Sequence, residues 1–589
     1  MRTSQKADRS RLMAAALGQI PCDLTVENVQ LVNMFTGEIY PASVDVLDGT
    51  VVRVRTADQP AETPAAESYD GGGAYLIPGF IDTHVHVEST MMIPQNLGRA
   101  IVPLGTTTVC TDPHEIGNVM GIGGVKFMLE DGKKSALRHY VLAPSCIPSV
   151  PGMESTGAVF GAAEVGALLD MPDVVGVAEV MDFVNVIKDD ARMHSIVDEG
   201  LKRGVYVQAH APYVTGKQLA AYILGGPKGD HESNTAAEVS EKLRSGMHVN
   251  LRASSLVNAL PELLQGFKDH KWRDQVSICT DDVHAKDLLS TGHINHVVRG
   301  AIAGGMDPVE VIKFATLNAA REYGFDNLGA IAPGYLADMQ LVRKLDGGTP
   351  EAVFIMGRLA AKNGAYVAED TMGEEPAFPN TVNIPQIASA EDFVLKAPAG
   401  CGDTALVAAL KPNGIILNEL EWIELPVVNG AVSLGGHDDL CFACVANRYG
   451  SGGKTVAVLK GRALKNGAYG TTISHDCHNM TILYKDPADA LAAAQALQQA
   501  GGGICVVQNG AVTSTLPLPV AGLMSTLPIV PLSEAITNTE AAVQAICGEG
   551  TSLLHASLLA LACLPGFVIS DFGIVDGLNQ QIVPVVKPV

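Results

Sequence analysis

The chain has 589 residues, enough for three or four domains of ordinary size. Hydrophobic residues make up 47% of it, which excludes a disordered or collagen-like chain and allows a large buried core. Sixty-three acidic residues against 40 basic ones give a net charge of −23, which repels phosphate backbones and anionic lipid, so neither a nucleic-acid polymer nor a membrane is an expected partner.

At the N-terminus, Leu12 to Ile20 is too short for a signal core and is broken by Gly18 and Gln19. The 11 cysteines are scattered singly apart from Cys441 and Cys444, with no disulfide framework. Both features predict a soluble chain in a reducing cytoplasm. Residues 24–76 show short alternating segments with a turn at Thr36-Gly37, predicting hairpin strands. From Ala74 the pattern changes to short apolar runs separated by helical stretches. The runs are AYLIPGFID, IVPLGTTTVCTD, HYVLAPSCI, DVVGVAEV, GVYVQAHA, GMHVNLRA and QVSICTD. Each is apolar on both faces and ends in polar or ionisable residues. Between them, Glu164 to Met171 places Val165, Leu168 and Leu169 at i, i+3 and i+4, and Ala236 to Ser245 is also helical in spacing. Strands alternating with helices predict a parallel sheet, and seven or eight such units match a (β/α)8 TIM-type barrel in size. An open doubly wound sheet is the alternative; no GxGxxG follows any of these strands, so nothing points to a dinucleotide.

Hairpin signals return over about 331–372, with Asn363-Gly364 as one turn. The two β-rich flanks predict one small β-sandwich-like unit split around the barrel. A Pro- and Glu-containing linker, TMGEEPAFPNTVNIP, leads to a C-terminal α+β domain with further Asn-Gly turns at 429–430, 466–467 and 509–510 and an Ala-rich helix from Asp489 to Ala500. The most apolar stretch, Ser552 to Ile569, is interrupted by His555 and Pro565 and predicts a buried helix plus strand, not a membrane span. The expected organisation is therefore an α/β chain. Residues 1–76 form the N-terminal segment and first part of the β unit, 77–330 the catalytic barrel, 331–377 the second part and linker, and 378–589 the C-terminal domain.

The strongest chemical signal is Pro78-Gly79-Phe80-Ile81-Asp82-Thr83-His84-Val85-His86. Strand alternation puts His84 and His86 on one face, close enough to share an ion, at the strand end where barrel catalysts sit. Glu179 closes the apolar run VVGVAEV, where an unpaired carboxylate would be costly. His210 ends GVYVQAH, and His231 lies in Gly229-Asp230-His231 ahead of a helix; His248 competes with it but sits mid-strand. Asp281 ends SICTD, followed at once by Asp282. His84, His86, Glu179, His210, His231 and Asp281 thus form six N/O candidates in barrel order, enough for two divalent ions bridged by a carboxylate. The donors suit manganese, iron or zinc. Such a pair brings a bridging water towards ionisation at neutral pH, with Asp281 as the proton carrier and Glu179 as the bridge.

These motifs resemble the amidohydrolase superfamily and, within it, the bacterial adenine deaminases. The resemblance is carried by His84-Val85-His86-Val87-Glu88-Ser89-Thr90-Met91, Thr111-Asp112-Pro113-His114-Glu115-Ile116, Gly229-Asp230-His231-Glu232-Ser233, Thr280-Asp281-Asp282 with Gly292-His293, and His475-Asp476-Cys477-His478-Asn479. Two positions depart from the family pattern: Ala253 stands where Glu usually follows the arginine, and Cys477 where Ser is usual. The resemblance implies hydrolytic deamination of adenine to hypoxanthine and ammonia within purine salvage, at a two-metal site that is often iron or manganese. Its small-molecule substrate leaves homo-oligomeric assembly open.

A further set of residues reads as substrate-facing or supporting. Asp112, His114 and Glu115 follow the second apolar strand, Glu88 follows the metal histidines by two, and Asp282 neighbours Asp281. His475 and His478 lie far away in sequence and suggest either another metal site or a lid. Cys441 and Cys444, with His437 nearby, lack the second pair that a zinc site needs. Three rivals compete. Dihydroorotase- or hydantoinase-like amide hydrolases bridge their metals with a lysine, absent from VVGVAEVMDF. Cytidine-type deaminases need a Pro-Cys-x-x-Cys, but Leu440 precedes Cys441. A barrel without catalytic function would have no reason to retain all six candidates. The alternative kept is a related metal hydrolase acting on another 6-substituted purine or a cyclic amide.

Overall fold

A computed structural model describes residues 8–255, 258–371, 377–413, 417–462, 464–548 and 551–589, apart from the side chains of residues 554 and 555. Residues 372–376 of the predicted linker and the His555 side chain lie outside what is described.

The N-terminal flank contributes β1 (Leu24–Val32), β2 (Ile39–Leu47), β3 (Thr50–Arg55), β4 (Glu67–Asp70) and β5 (Tyr75–Pro78). Eight parallel strands follow: β6 (Phe80–Val85), β7 (Thr106–Thr111), β8 (Arg138–Ala143), β9 (Val174–Val180), β10 (Tyr206–Ala209), β11 (Gly229–Asp230), β12 (His248–Arg252) and β13 (Val276–Cys279). The chain then returns through β14 (Met339–Val342), β15 (Ala352–Ile355), β16 (Arg358–Lys362) and β17 (Ala365–Tyr366). Both flanks share one nine-stranded sheet, joined where β5 pairs antiparallel with β14 from Pro78↔Met339 to Tyr75↔Val342.

Two details differ from the sequence reading. The run AYLIPGFID was read as one strand, but it divides at Gly79 between two sheets: β5 in the flank sheet, β6 in the barrel. Gly79 is required there because a Cβ would sit 2.2 Å from Thr107 Oγ1 on the neighbouring strand. The sixth barrel strand, β11, has only two residues and carries no periodicity to detect; it is held between Gln208–Ala209 and His248–Val249.

The barrel runs β6 to β13 in sequential order. The ring closes at its carboxyl end. Asp281 N–H donates to the His84 carbonyl at 2.9 Å, and a parallel bridge joins Val85 to Asp281. Inside, the Asn250 amide nitrogen lies within donating distance of Thr83 Oγ1 at 2.8 Å, Ser277 Oγ at 2.9 Å and Glu322, a polar layer that links β12 to β6 and β13.

The C-terminal region forms a ten-stranded sheet, a three-stranded sheet and the helices Pro487–Ala500 and Ile529–Cys547. It shares a core with the carboxyl end of the barrel: Met91, Met92 and Leu97 pack with Leu523, Met524 and Leu532, all essentially buried. Burying each such side chain stabilises by about 1.5–3 kcal/mol, so this contact fixes the domain over the strand ends. The stretch from Ser552 folds as a short 3-10 helix, Leu553–Ala560, and a strand, Phe567–Ser570. Among the described residues, no helix is long and apolar enough to cross a membrane.

Candidate active site

Every one of the six first-choice residues lies at the carboxyl end of the barrel. His84 is on β6 and His86 is one residue past its end; Glu179 is the penultimate residue of β9. His210 and His231 directly follow β10 and β11, and Asp281 lies two residues beyond β13. The alternation argument holds: His84 Nε2 and His86 Nε2 stand 3.0 Å apart, with their rings at 86°. Two donors about 2.1 Å from one ion at a right angle are separated by about this distance.

Glu179 is the centre of the arrangement. Its Oε1 lies 3.4 Å from His86 Nε2 and 4.0 Å from His84 Nε2. Its Oε2 lies 2.5 Å from His210 Nδ1 and 3.1 Å from His231 Nε2. Asp281 Oδ1 faces the first pair, 3.3 Å from His86 and 3.6 Å from His84. The two carboxylate oxygens of Glu179 therefore serve two different sets of imidazoles. Burial alone would raise the Glu179 carboxyl, but His210, His231 and His86 hold it well below the usual carboxylate range. Burial works against the charged form of His210 as well, yet Glu179 and Glu232 raise it to about 9. Buried carboxylate oxygens and imidazole nitrogens converging on one another fit a pair of divalent cations held by N and O donors.

Supporting contacts fix these groups. His86 Nδ1–H donates to the Asp112 carbonyl at 3.0 Å, which leaves Nε2 to face the cluster. Asp82, in the Pro-Gly-Phe-x-Asp motif, accepts from the backbone N–H of His84 and of Thr280 at 3.2 Å each and from Thr280 Oγ1 at 2.5 Å, tying β6 to the segment after β13. Burial pushes its carboxyl up to about 7. Lys242, fully buried, donates to Asp230 Oδ2 and the Ala211 carbonyl at 2.8 Å each, and so pins the segments that follow β10 and β11. Asp281 holds a left-handed backbone, φ 60°, conformationally costly for a non-glycine residue.

The secondary candidates separate into two groups. His114 Nδ1 lies 3.1 Å from Asp112 Oδ2 and 3.5 Å from Glu179 Oε1, at the edge of the cluster. Glu115, Asp282 and His475 line the same cavity. Ser89 Oγ links two of them, donating to Asp282 at 2.5 Å or to Glu115 at 3.1 Å. Glu88 stands behind, accepting from the Ile116 N–H at 3.1 Å, and His478 is buried beyond His475. His248 is at the opposite end of its strand, bonded to Ser277. Cys441 and Cys444 pack into two different cores on opposite faces of one strand, because residues three apart in a strand diverge; burial pushes both thiols up to about 12. His437 is exposed.

Sequence reasoning missed several cavity residues. Arg252, the last residue of β12, donates to Asp281 Oδ2 at 2.7 Å and also pairs with Glu232. The signal that identified the other candidates, a charged residue closing an apolar strand, applied equally to it. Asp476, 3.4 Å from His114 Nε2, and the apolar Met181, Leu558, Leu561 and Leu564 complete the lining.

Comparison with known proteins adds the ancestry. Residues 75–360 match the amidohydrolase family, and residues 416–581 match the adenine deaminase C-terminal domain. Adenine deaminase 2 of Carboxydothermus hydrogenoformans is 36% identical over 577 residues, covering 98% of this chain and 99% of that protein. The adenine deaminase of Moorella thermoacetica is 33% identical, covering 98% and 97%, and that of Serratia proteamaculans 35% identical, covering 98% and 97%. Matched at 33–36% identity over nearly its whole length, with both characteristic regions present, the chain belongs to the adenine deaminase family.

Proposed function

We propose that the chain hydrolyses free adenine to hypoxanthine and ammonia in the cytoplasm, with two divalent cations held by His84, His86, Glu179, His210, His231 and Asp281. Manganese or iron suits these donors best, and zinc fits the same set. The observation that carries the hydrolytic part is Glu179, whose two oxygens face separate imidazole sets. The substrate rests on the named relatives. When bound, the cations supply a water acidic enough to lose its proton at neutral pH.

Asp281 takes that proton and returns it to the departing amine, so nitrogen leaves as neutral ammonia. Arg252 holds the Asp281 carboxylate in one orientation for both transfers. Carboxylates at the cavity wall, Glu232 and Asp476, are acceptors for the N–H edges of a purine, and the same acidic lining repels a nucleotide phosphate. Met181, Leu558, Leu561 and Leu564 present apolar surface to a flat ring and exclude water. In this reading, residues 77–330 are the catalytic unit, 1–76 and 331–377 the β unit that braces it, and 378–589 the roof. The 11 free cysteines suit the reducing cytoplasm.

The test is an ammonia-release assay on a panel of purines and pyrimidines, with Mn²⁺ or Fe²⁺ supplied, alongside the ultraviolet change from adenine to hypoxanthine. Adenine should be turned over well ahead of adenosine and cytosine. Efficient turnover of another 6-substituted purine or of a cyclic amide, with adenine untouched, overturns the reading.

A further inference from the structure

Beside the catalytic cluster, three buried side chains from two parts of the chain face one another. Glu115 lies on the helix His114–Met120 of the barrel; His475 and His478 lie on the C-terminal segment after the strand Ala468–Thr471. His475 Nδ1 is 3.8 Å from Glu115 Oε1, and His478 Nε2 is 3.7 Å from Glu115 Oε2. The two rings stand 5.4 Å apart at 61°. One donor atom from each of the three residues lies within 4.8 Å of the others. These separations are too long for hydrogen bonds. They match donors sharing an ion, since two atoms each about 2.1 Å from a cation stand about 3.0–4.2 Å apart as the angle opens from 90° to 180°.

The polar accounting around these residues is incomplete in the way a cation would complete it. His478 is fully buried, and its Nε2 has no hydrogen-bond partner. Its Nδ1 accepts from the Ser474 N–H at 3.4 Å, a long contact. Behind Glu115, the buried Glu88 has an oxygen, Oε2, with no partner. Among the described residues, no lysine or arginine pairs with either carboxylate. His478 also holds a left-handed backbone, φ 51°.

We infer that Glu115, His475 and His478 bind a third divalent cation, distinct from the catalytic pair, which clamps the C-terminal segment to the barrel. Two imidazoles and a carboxylate suit Mn²⁺, Fe²⁺, Co²⁺ or Zn²⁺. The clamp sits where it matters, because His475 and Asp476 form part of the catalytic cavity wall. The ion fixes that wall and takes no part in the chemical step.

The test counts metal. The full chain, stripped and reloaded with Mn²⁺ and freed of excess, should hold three ions, and the His478→Gln and Glu115→Gln variants two, with circular dichroism confirming that the variants are folded. Wild type holding two, or folded variants that keep the third, overturns the site. A second measurement needs no variant. Crystals of the full chain grown in Mn²⁺ should show an anomalous scattering peak between Glu115, His475 and His478; peaks at the catalytic cluster alone refute the clamp while leaving the catalytic reading standing. Failure of the catalytic reading has a different signature, namely a count that does not fall in Glu179→Gln.

Discussion

The cavity has two sides built on different principles. The barrel side presents His86, Glu179, His210 and Asp281; Glu179 and His210 are set by parallel strands hydrogen-bonded on both sides, and His86 and Asp281 by the bridge that closes the ring. The roof presents His475, Asp476 and the leucines Leu558, Leu561 and Leu564, carried on non-sheet segments of the C-terminal domain. On the barrel side, charged groups press on one another and their ionisation is displaced. On the roof side, position comes from packing, through the core shared by Met91, Met92, Leu523 and Met524. The difference teaches a division of labour. Groups that must hold ions and move protons sit on the rigid ring, where a fraction of an ångström is preserved, while enclosure of the substrate is left to a packed cover.

That comparison can be broken or sharpened by substitution. The largest effect should come from Glu179→Gln, which keeps the shape but removes the charge shared by both imidazole sets. Metal content should fall well below that of wild type and turnover by at least about 10⁴-fold, roughly 5.5 kcal/mol of lost transition-state stabilisation. Full metal content with normal turnover would remove Glu179 from the centre of the site.

The next effect is on stability. Lys242→Met leaves Asp230 buried without its cation and should cost about 3–5 kcal/mol, read from urea unfolding. The same pair predicts a pH signature. Burial opposes the Asp230 carboxylate, but Lys242 lowers it from 3.8 to about 2. A depressed carboxylate stabilises above its unfolded value and loses that contribution as pH falls through its folded one. Wild type should therefore lose this part of its stability between pH 3.8 and about 2, a loss that Lys242→Met does not show. Equal acid sensitivity in the two proteins would contradict the assignment.

Arg252→Gln should lower kcat by about 10–100-fold, as loss of an orienting partner does, with the metal count unchanged. A change in KM alone would mean that Arg252 binds substrate and does not hold Asp281. The smallest effect should come from the roof. Leu561→Ala should raise the KM for adenine several-fold, about 1 kcal/mol, and leave kcat nearly intact. A kcat defect there as large as that of Arg252→Gln would erase the distinction between the two sides.

How much of this was readable from the chain follows from the same division. His84 and His86 were legible because strand alternation is local, and Glu179, His210 and Asp281 because an ionisable residue closing an apolar run is itself a local anomaly. Arg252 carried that signal too, but its role depends on a partner 29 positions away, Asp281, which no local pattern exposes. The division of AYLIPGFID at Gly79 was hidden for a similar reason: both halves are apolar strands, and only Thr107 and Met339 decide to which sheet each belongs.

By itself, then, the sequence determined the alternation of strands and helices, the flanking hairpins, and the donor types at the strand ends, because periods of 2 and 3.6 and the cost of a buried charge act within a few residues. Only the tertiary structure decided which oxygen of Glu179 meets which imidazole, that the ring closes through Asp281, and that Glu115 meets His475 and His478 across some 360 positions of chain. Those outcomes depend on how distant surfaces pack, and packing is a property of the whole fold that is written in no single stretch of chain.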